Sequence, residues 1–197
     1  MDGNLLQLYV PIILGSTRRG RQSDKPARWI ERRLRETGRC EVELLDLAEY
    51  DFPIMEERLT MRDDPPPRAQ EFSGKLRRAD AIVIVTPEYN SGYPGVLKNT
   101  LDYFYTEYYR KPFGVVTVSG GGFGGITCFQ SLLAVLQKVR GIVPAHLPIS
   151  SVQKTFDQAG NLVDPSYEKR ASVFMDELLW YAEALRTQKE RVTVTVG

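Results

Sequence analysis

Apolar and polar positions follow two periods along the chain, and the switches between them mark out strands and helices. QLYVPIILG at 7–15 is nearly unbroken apolar sequence and predicts a buried strand, with Pro11 predicting an early bulge or a later start. QSDKPARWIERRLRETG at 22–38 puts Ala27, Ile30 and Leu34 on one helical face, and Gly38 can end it. CEVELLDL at 40–47 predicts a second strand, EFSGKLRRA at 71–79 a short helix, and ADAIVIV at 79–85 the most strand-like run of all. PGVLKNTLDYFYTEYY at 94–109 predicts a helix with Leu97, Leu101 and Phe104 on one face. KPFGVVTVS at 111–119, ITCFQSLLAVLQKVRG at 126–141 and IVPAHLPIS at 142–150 repeat strand, helix and strand. A hairpin-like FDQAGNLVD follows, and SYEKRASVFMDELLWYAEALRTQ at 166–188 predicts the closing helix.

Two pieces stand outside this rhythm. AEYDFPIMEERLTMRDDPPPRAQ at 48–70 is proline-broken and long for a connection, which predicts a lid or a partner-contacting excursion. The tail RVTVTVG alternates like a strand and fits disorder equally well, so 190–197 is read as a flexible tail.

Five strands alternating with five helices, the inner strands continuously apolar, predict a parallel sheet covered on both faces. Right-handed crossovers leave a handful of strand orders, and the doubly wound order 2-1-3-4-5 is the one expected here. Its ligand would sit beyond the carboxyl ends of the strands, at the switch between the first and the third. All 197 residues form one domain on this reading.

Composition narrows the function classes. Lys and Arg number 26 against 25 Asp and Glu, a net charge of +1 spread through the chain, which argues against nucleic-acid binding and against an acidic carrier. Cys40 and Cys128 are far apart, in no metal-ligand or CxxC spacing, and read as reduced structural thiols of a cytoplasmic protein. His146 is the single histidine, so no histidine metal site or triad is expected. The N-terminal apolar run lacks a basic region before it and reads as a strand, not a signal peptide, and no run reaches membrane-spanning length.

Three loops carry the candidate chemistry. GSTRRGRQS offers the hydroxyls of Ser16, Thr17 and Ser23, the guanidinium groups of Arg18, Arg19 and Arg21, and the N-terminus of the helix that follows. Those parts suit a phosphate, although an N-capped helix with solvated arginines would look similar. It is no Walker motif, having no GKS or GKT. A literal GxGxxG does occur at Gly120, Gly122 and Gly125, but it follows the fourth strand, with no acidic residue before Phe156 to hold a ribose. Its glycines suit backbone approach to a flat ring. TPEYNSGYPG at 86–95 is stiffened by Pro87 and Pro94, bent by Gly92 and Gly95, and carries Tyr89, Asn90 and Tyr93. Lys98 and Asp102 beyond it are expected to pair as i and i+4. A stiff aromatic loop beside a phosphate cradle suggests a planar heterocycle carrying a phosphate.

Taken in order, GSTRRGRxS, TPEYNSGYPGVLKNTLDYF and VSGGGFGG resemble the NAD(P)H-dependent FMN reductase family of the flavodoxin-like superfamily, which includes quinone, azo-dye and chromate reductases. The resemblance covers about 130 residues, from the first strand through the fourth helix. It implies a flavodoxin-like three-layer α/β/α sandwich with one noncovalent FMN, an NADPH or NADH donor and a small-molecule acceptor. It further implies a homodimer or homotetramer with the site near the subunit boundary. Carried over by position, Ser16, Arg18, Ser23 and Arg21 would hold the FMN phosphate. Pro87, Glu88, Tyr89 and Asn90 would flank the ring and ribityl chain, and Ser119, Gly120 and Gly122 would meet the polar edge of the ring. No side chain is expected to act as acid or base, because the cofactor carries the redox chemistry. The competing readings are a flavodoxin-like electron carrier without nicotinamide turnover and a flavin-independent phosphate binder.

Overall fold

The computed structural model describes residues 7–195. Its sheet is five parallel strands in the order β2-β1-β3-β4-β5. They are β1 (Leu8–Leu14), β2 (Cys40–Asp46), β3 (Ile82–Pro87), β4 (Pro112–Val118) and β5 (Ile142–Ile149). The helices are α1 (Asp24–Glu36), α2 (Leu47–Tyr50), α3 (Ala69–Arg78), α4 (Gly95–Tyr103), α5 (Ile126–Lys138), α6 (Val152–Thr155) and α7 (Ser166–Thr195). β1, β3 and β4 are buried at every position, as a strand covered on both faces must be.

The strand pleat sends alternate side chains to two separate cores. Val10, Ile12 and Leu14 join Ala27, Ile30 and Leu34 of α1 and Phe174 and Leu178 of α7 on one face. Tyr9 and Ile13 join Phe72 and Leu76 of α3, Leu97 and Leu101 of α4, and Leu132 and Leu136 of α5 on the other. The expected three-layer flavodoxin-like sandwich is the observed one.

Four details differ from expectation. Pro11 causes neither a bulge nor a late start: β1 stays in register with β2 from Leu8 to Leu14. Tyr9 directs both its N–H and its carbonyl toward Asp80, so Pro11, two residues on, points the same way. The β3 ladder begins only at Ile12–Val83, past the missing donor. The predicted helix at 94–109 ends at Tyr103, followed by a 3₁₀ turn at Thr106–Tyr108. Tyr103, Phe104 and Tyr108 bury there, and the aromatic contacts win over helix continuation. The tail is helical through Thr195 as the end of α7, so the strand reading fails there, and 196–197 lie outside the described residues.

The fourth is the excursion at 48–70. It is not a lid over the carboxyl ends of the strands but a strap pinned to α4. The amide of Asn99 accepts from Met55 N–H at 2.8 Å and donates to the Pro53 carbonyl at 2.8 Å, and Tyr103 Oη donates to the same carbonyl at 2.9 Å. Phe52 and Leu59 anchor it in the core, while Ile54 is left 85% exposed. Lys98 and Asp102 form the expected i,i+4 pair.

Candidate functional site

A cavity of about 350 Å³ opens at the carboxyl ends of the strands, beyond the neighbouring β1 and β3 where the strand order switches. That volume is in the ordinary range for small-ligand sites, roughly 300–1,000 Å³. Arg18, Arg21 and Ser23 enter from the loop after β1, and Pro87, Glu88 and Tyr89 from the end of β3. Ser119 and Gly120 enter from the loop after β4.

Ser23 is the most telling wall residue. It occupies the N-cap of α1 yet makes no side-chain cap bond, and its Oγ is fully buried with no hydrogen-bond partner among the described residues. Buried hydroxyls are ordinarily satisfied, and this one, on a residue that lines the cavity, has unused hydrogen-bonding capacity among the described residues. The guanidinium of Arg18 sits 5.7 Å from the Tyr89 ring centre and pairs with no acid among the described residues. A helix N-terminus, an unsatisfied hydroxyl and a free guanidinium together make an anion cradle.

Ser16 and Arg21 were expected to hold the same phosphate, but both are turned to holding the loop. Ser16 lies behind the wall, where its Oγ accepts from Arg18 N–H at 3.3 Å and shares a 2.8 Å hydrogen bond with Tyr89 Oη. Arg21 lines the cavity with its side chain engaged: Nη1 donates to Asp46 Oδ1 at 2.8 Å, Nη2 pairs with Asp46 Oδ2, and Nη1 also reaches the Ser16 carbonyl. It ties the loop after β1 to the end of β2.

The third loop is equally built. Tyr89 and Gly92 exchange two backbone hydrogen bonds, and Asn90 and Ser91 between them have φ of 51° and 65°, the signature of a primed two-residue turn. Asn90 is therefore an exposed turn residue and does not line the cavity, against expectation. Asparagine tolerates that backbone better than most residues. Glu88 lines the cavity and is also committed: its Oε2 accepts from Cys128 N–H at 3.0 Å, in the first turn of α5. It thus caps that helix and complements its dipole.

The glycine loop has its strict requirements at its far end. A Cβ on Gly124 would lie 2.7 Å from Pro148 Cβ, one on Gly125 would lie 2.9 Å from Thr117 Cβ, and both have positive φ. Gly122 has open space around it and is not among the residues that line the cavity. Thr117 Oγ1 donates to the Gly124 carbonyl at 2.6 Å, which leaves it to accept from His146 Nε2–H at 2.8 Å. The imidazole also stacks on Phe129, with centroids 3.7 Å apart.

Burial pulls the His146 pKa from 6.5 down to about 4. A folded-state pKa below the unfolded one means the unfolded chain binds the extra proton, so stability is full above pH 6.5 and is lost as pH falls toward 4. Unfolding free energies from denaturant titrations at pH 7 and pH 4.5 should differ by up to about 3 kcal/mol more in the natural protein than in His146→Gln. Parallel pH curves for the two proteins would contradict the assignment.

Sequence reasoning missed one wall. Val152 and Gln153 of α6 close the cavity opposite Arg18, and the Gln153 side-chain nitrogen lies 3.5 Å from where a Gly120 Cβ would stand. The signal was topological: β5 neighbours β4, so its carboxyl-end loop must emerge at the same edge. Both cysteines are buried free thiols, with the pKa of Cys40 raised by desolvation to about 11 and that of Cys128 to about 12, consistent with structural roles.

Fold and site together define a flavodoxin-like domain with an anion cradle at its topological switch point. The model of the family described as NADPH-dependent FMN reductase matches residues 8–154, and the chain belongs to that family. As a member it is an oxidoreductase working with FMN and a nicotinamide donor. An NAD(P)H-dependent FMN reductase of Schizosaccharomyces pombe is 34% identical over 169 residues, covering 80% of this chain and 79% of that protein. A quinone reductase of Pseudomonas putida is 35% identical over 168 residues, covering 80% and 87%. The fold matches a flavoenzyme NAD(P)H:acceptor oxidoreductase of Paracoccus denitrificans with a TM-score of 0.73 at 24% identity, covering 90% of this chain and 98% of that one. Among the described residues, no helix is long and apolar enough to cross a membrane.

Proposed function

We propose that this cavity holds FMN, that NADPH or NADH reduces it there, and that a small planar acceptor of the quinone kind then receives the electrons. The buried, unpartnered Ser23 hydroxyl at the start of α1 carries the reading, because a phosphate oxygen supplies the partner it lacks. Ser23, Arg18 and the first-turn N–H groups of α1 would bind the phosphate. Pro87 and Tyr89 would form one side of the ring slot, with Ser119, Gly120 and Gln153 on the other. Ser16 and Arg21 position these groups from behind. When bound, FMN supplies the redox chemistry, accepting hydride from nicotinamide and passing electrons to the acceptor. The protein contributes binding, orientation and hydrogen-bond donors, which is why no side chain is assigned an acid or base role.

Stopped-flow mixing of the FMN-loaded protein with NADPH alone should bleach the flavin absorbance, and a quinone added afterwards should restore it. No bleaching would rule out a reductase and leave the electron-carrier alternative.

We also propose a homodimer through the face beside α4 and α5. A groove of about 590 Å³ there is floored by Met55, Leu101, Phe104 and Val135 and rimmed by Arg58, Lys98 and Lys138. The neighbouring strap exposes Ile54 and Met61 together with Glu56 and Asp64. A two-fold pairing would set each strap against the other groove, the exposed Ile54 and Met61 against its apolar floor. Sedimentation should give a dimer that Ile54→Asp converts to monomer; a monomeric natural protein would refute it.

A further inference from the structure

One exposed aromatic ring, in the loop that gives the cavity its Ser119 and Gly120, pairs with no other ring among the described residues. Phe123 is 88% exposed, although the neighbouring Phe129 is stacked flat on His146. Its position is fixed from both sides. Before it, the Gly121 carbonyl accepts from Ser151 N–H at 2.8 Å and from Ser119 Oγ at 3.0 Å. After it, the Gly124 carbonyl accepts from Thr117 Oγ1 at 2.6 Å, and Gly124 is wedged against Pro148. Phe123 thus stands on a two-residue apex between pinned feet, in the same loop whose Ser119 and Gly120 form the cavity wall. Nothing lies within 4 Å of a Cβ on Gly121 or Gly122, so the loop before Phe123 is uncrowded.

An exposed ring on a pinned loop loses little conformational freedom when a flat molecule settles against it, and it gains both apolar burial and aromatic contact. We propose that Phe123 is an acceptor-specificity residue: it forms the outer contact for planar aromatic acceptors, and it gives nothing to acceptors without an aromatic face. The proposal rests on the acceptor-reduction reading above and adds to it the side chain that selects among acceptors.

The test uses the FMN-loaded protein with two acceptors, a naphthoquinone (flat and aromatic) and ferricyanide (octahedral, with no ring). Flavin content and bleaching by NADPH are recorded first on each preparation, so a failure of the reductase reading is seen there, before any acceptor is added. The ratio of the naphthoquinone KM to the ferricyanide KM should rise about tenfold in Phe123→Ser and stay near the natural value in Phe123→Trp. A ratio unchanged in Phe123→Ser overturns the proposal. So does a comparable rise in Phe123→Trp. An unchanged ratio accompanied by a shift in sedimentation would overturn it too, assigning the ring to contact with a second copy of the chain.

Discussion

Replacing Ser23 with alanine should weaken FMN binding about tenfold or more and leave the flavin-free protein as stable as before, or slightly more so. The two effects have opposite signs for one reason. The hydroxyl is fully buried and unpartnered among the described residues, so in the absence of flavin it contributes only its desolvation cost. Deleting such a group relieves about 1 kcal/mol or somewhat more. Facing a phosphate, the same hydroxyl would donate a charge-assisted hydrogen bond worth roughly 1.5–3 kcal/mol, which is one to two decades in affinity. Arg18→Ala should cost roughly 30-fold in affinity on the same grounds, with little change in stability, because Arg18 is exposed and its intramolecular contacts are slight. Fluorescence titration of FMN and guanidinium unfolding separate the two quantities. FMN affinity retained in both variants, or a Ser23→Ala protein clearly less stable than its parent, would remove the phosphate from this cradle.

The fold was legible because its strands obey the simplest rule available. A strand buried on both faces must be apolar throughout, and AIVIV and VVTV declare that without help from the rest of the chain. The loop after β1 was less legible, since serine and arginine next to a helix start also suit an ordinary cap and solvated charge, and what separates the two is that the Ser23 side chain makes no cap bond.

What escaped was everything decided by contacts distant in sequence. Nothing near Arg21 foretells that Asp46, at the end of another strand, will take its guanidinium. Asn90 looked like a ring contact because its side chain can hydrogen-bond, whereas its backbone conformation is what the turn requires. Glu88 reads as a site carboxylate until α5 is seen to begin beside it. Nor does anything near Asn99 in sequence foretell that it will hold the strap at Pro53 and Met55. The glycine loop shows the same pattern in reverse. The literal motif drew the eye to Gly120 and Gly122, while close packing singles out Gly124 and Gly125.

The Arg21–Asp46 clamp gives the second large effect, and its sign decides between two roles for Arg21. Both side chains are mostly buried, 18% and 9% exposed, and Asp46 also accepts from Ala48 N–H at 3.0 Å to cap α2. Asp46→Ala should therefore destabilise the protein by about 3 kcal/mol, since it strands a half-buried guanidinium and removes a cap. Arg21→Ala should cost somewhat less, because Asp46 keeps its backbone partner. The double variant should cost less than the sum of the singles, with a coupling of about 1–2 kcal/mol. FMN affinity then reads the function directly. If Arg21 only positions the loop, both single variants loosen the cradle, and each weakens FMN binding. Arg21→Lys weakens it too, because an ammonium cannot span both carboxylate oxygens and the Ser16 carbonyl. If Arg21 instead binds the phosphate, Asp46→Ala frees its charge for that purpose and FMN binds more tightly. A tighter-binding Asp46→Ala protein would overturn the positioning role that the clamp geometry assigns.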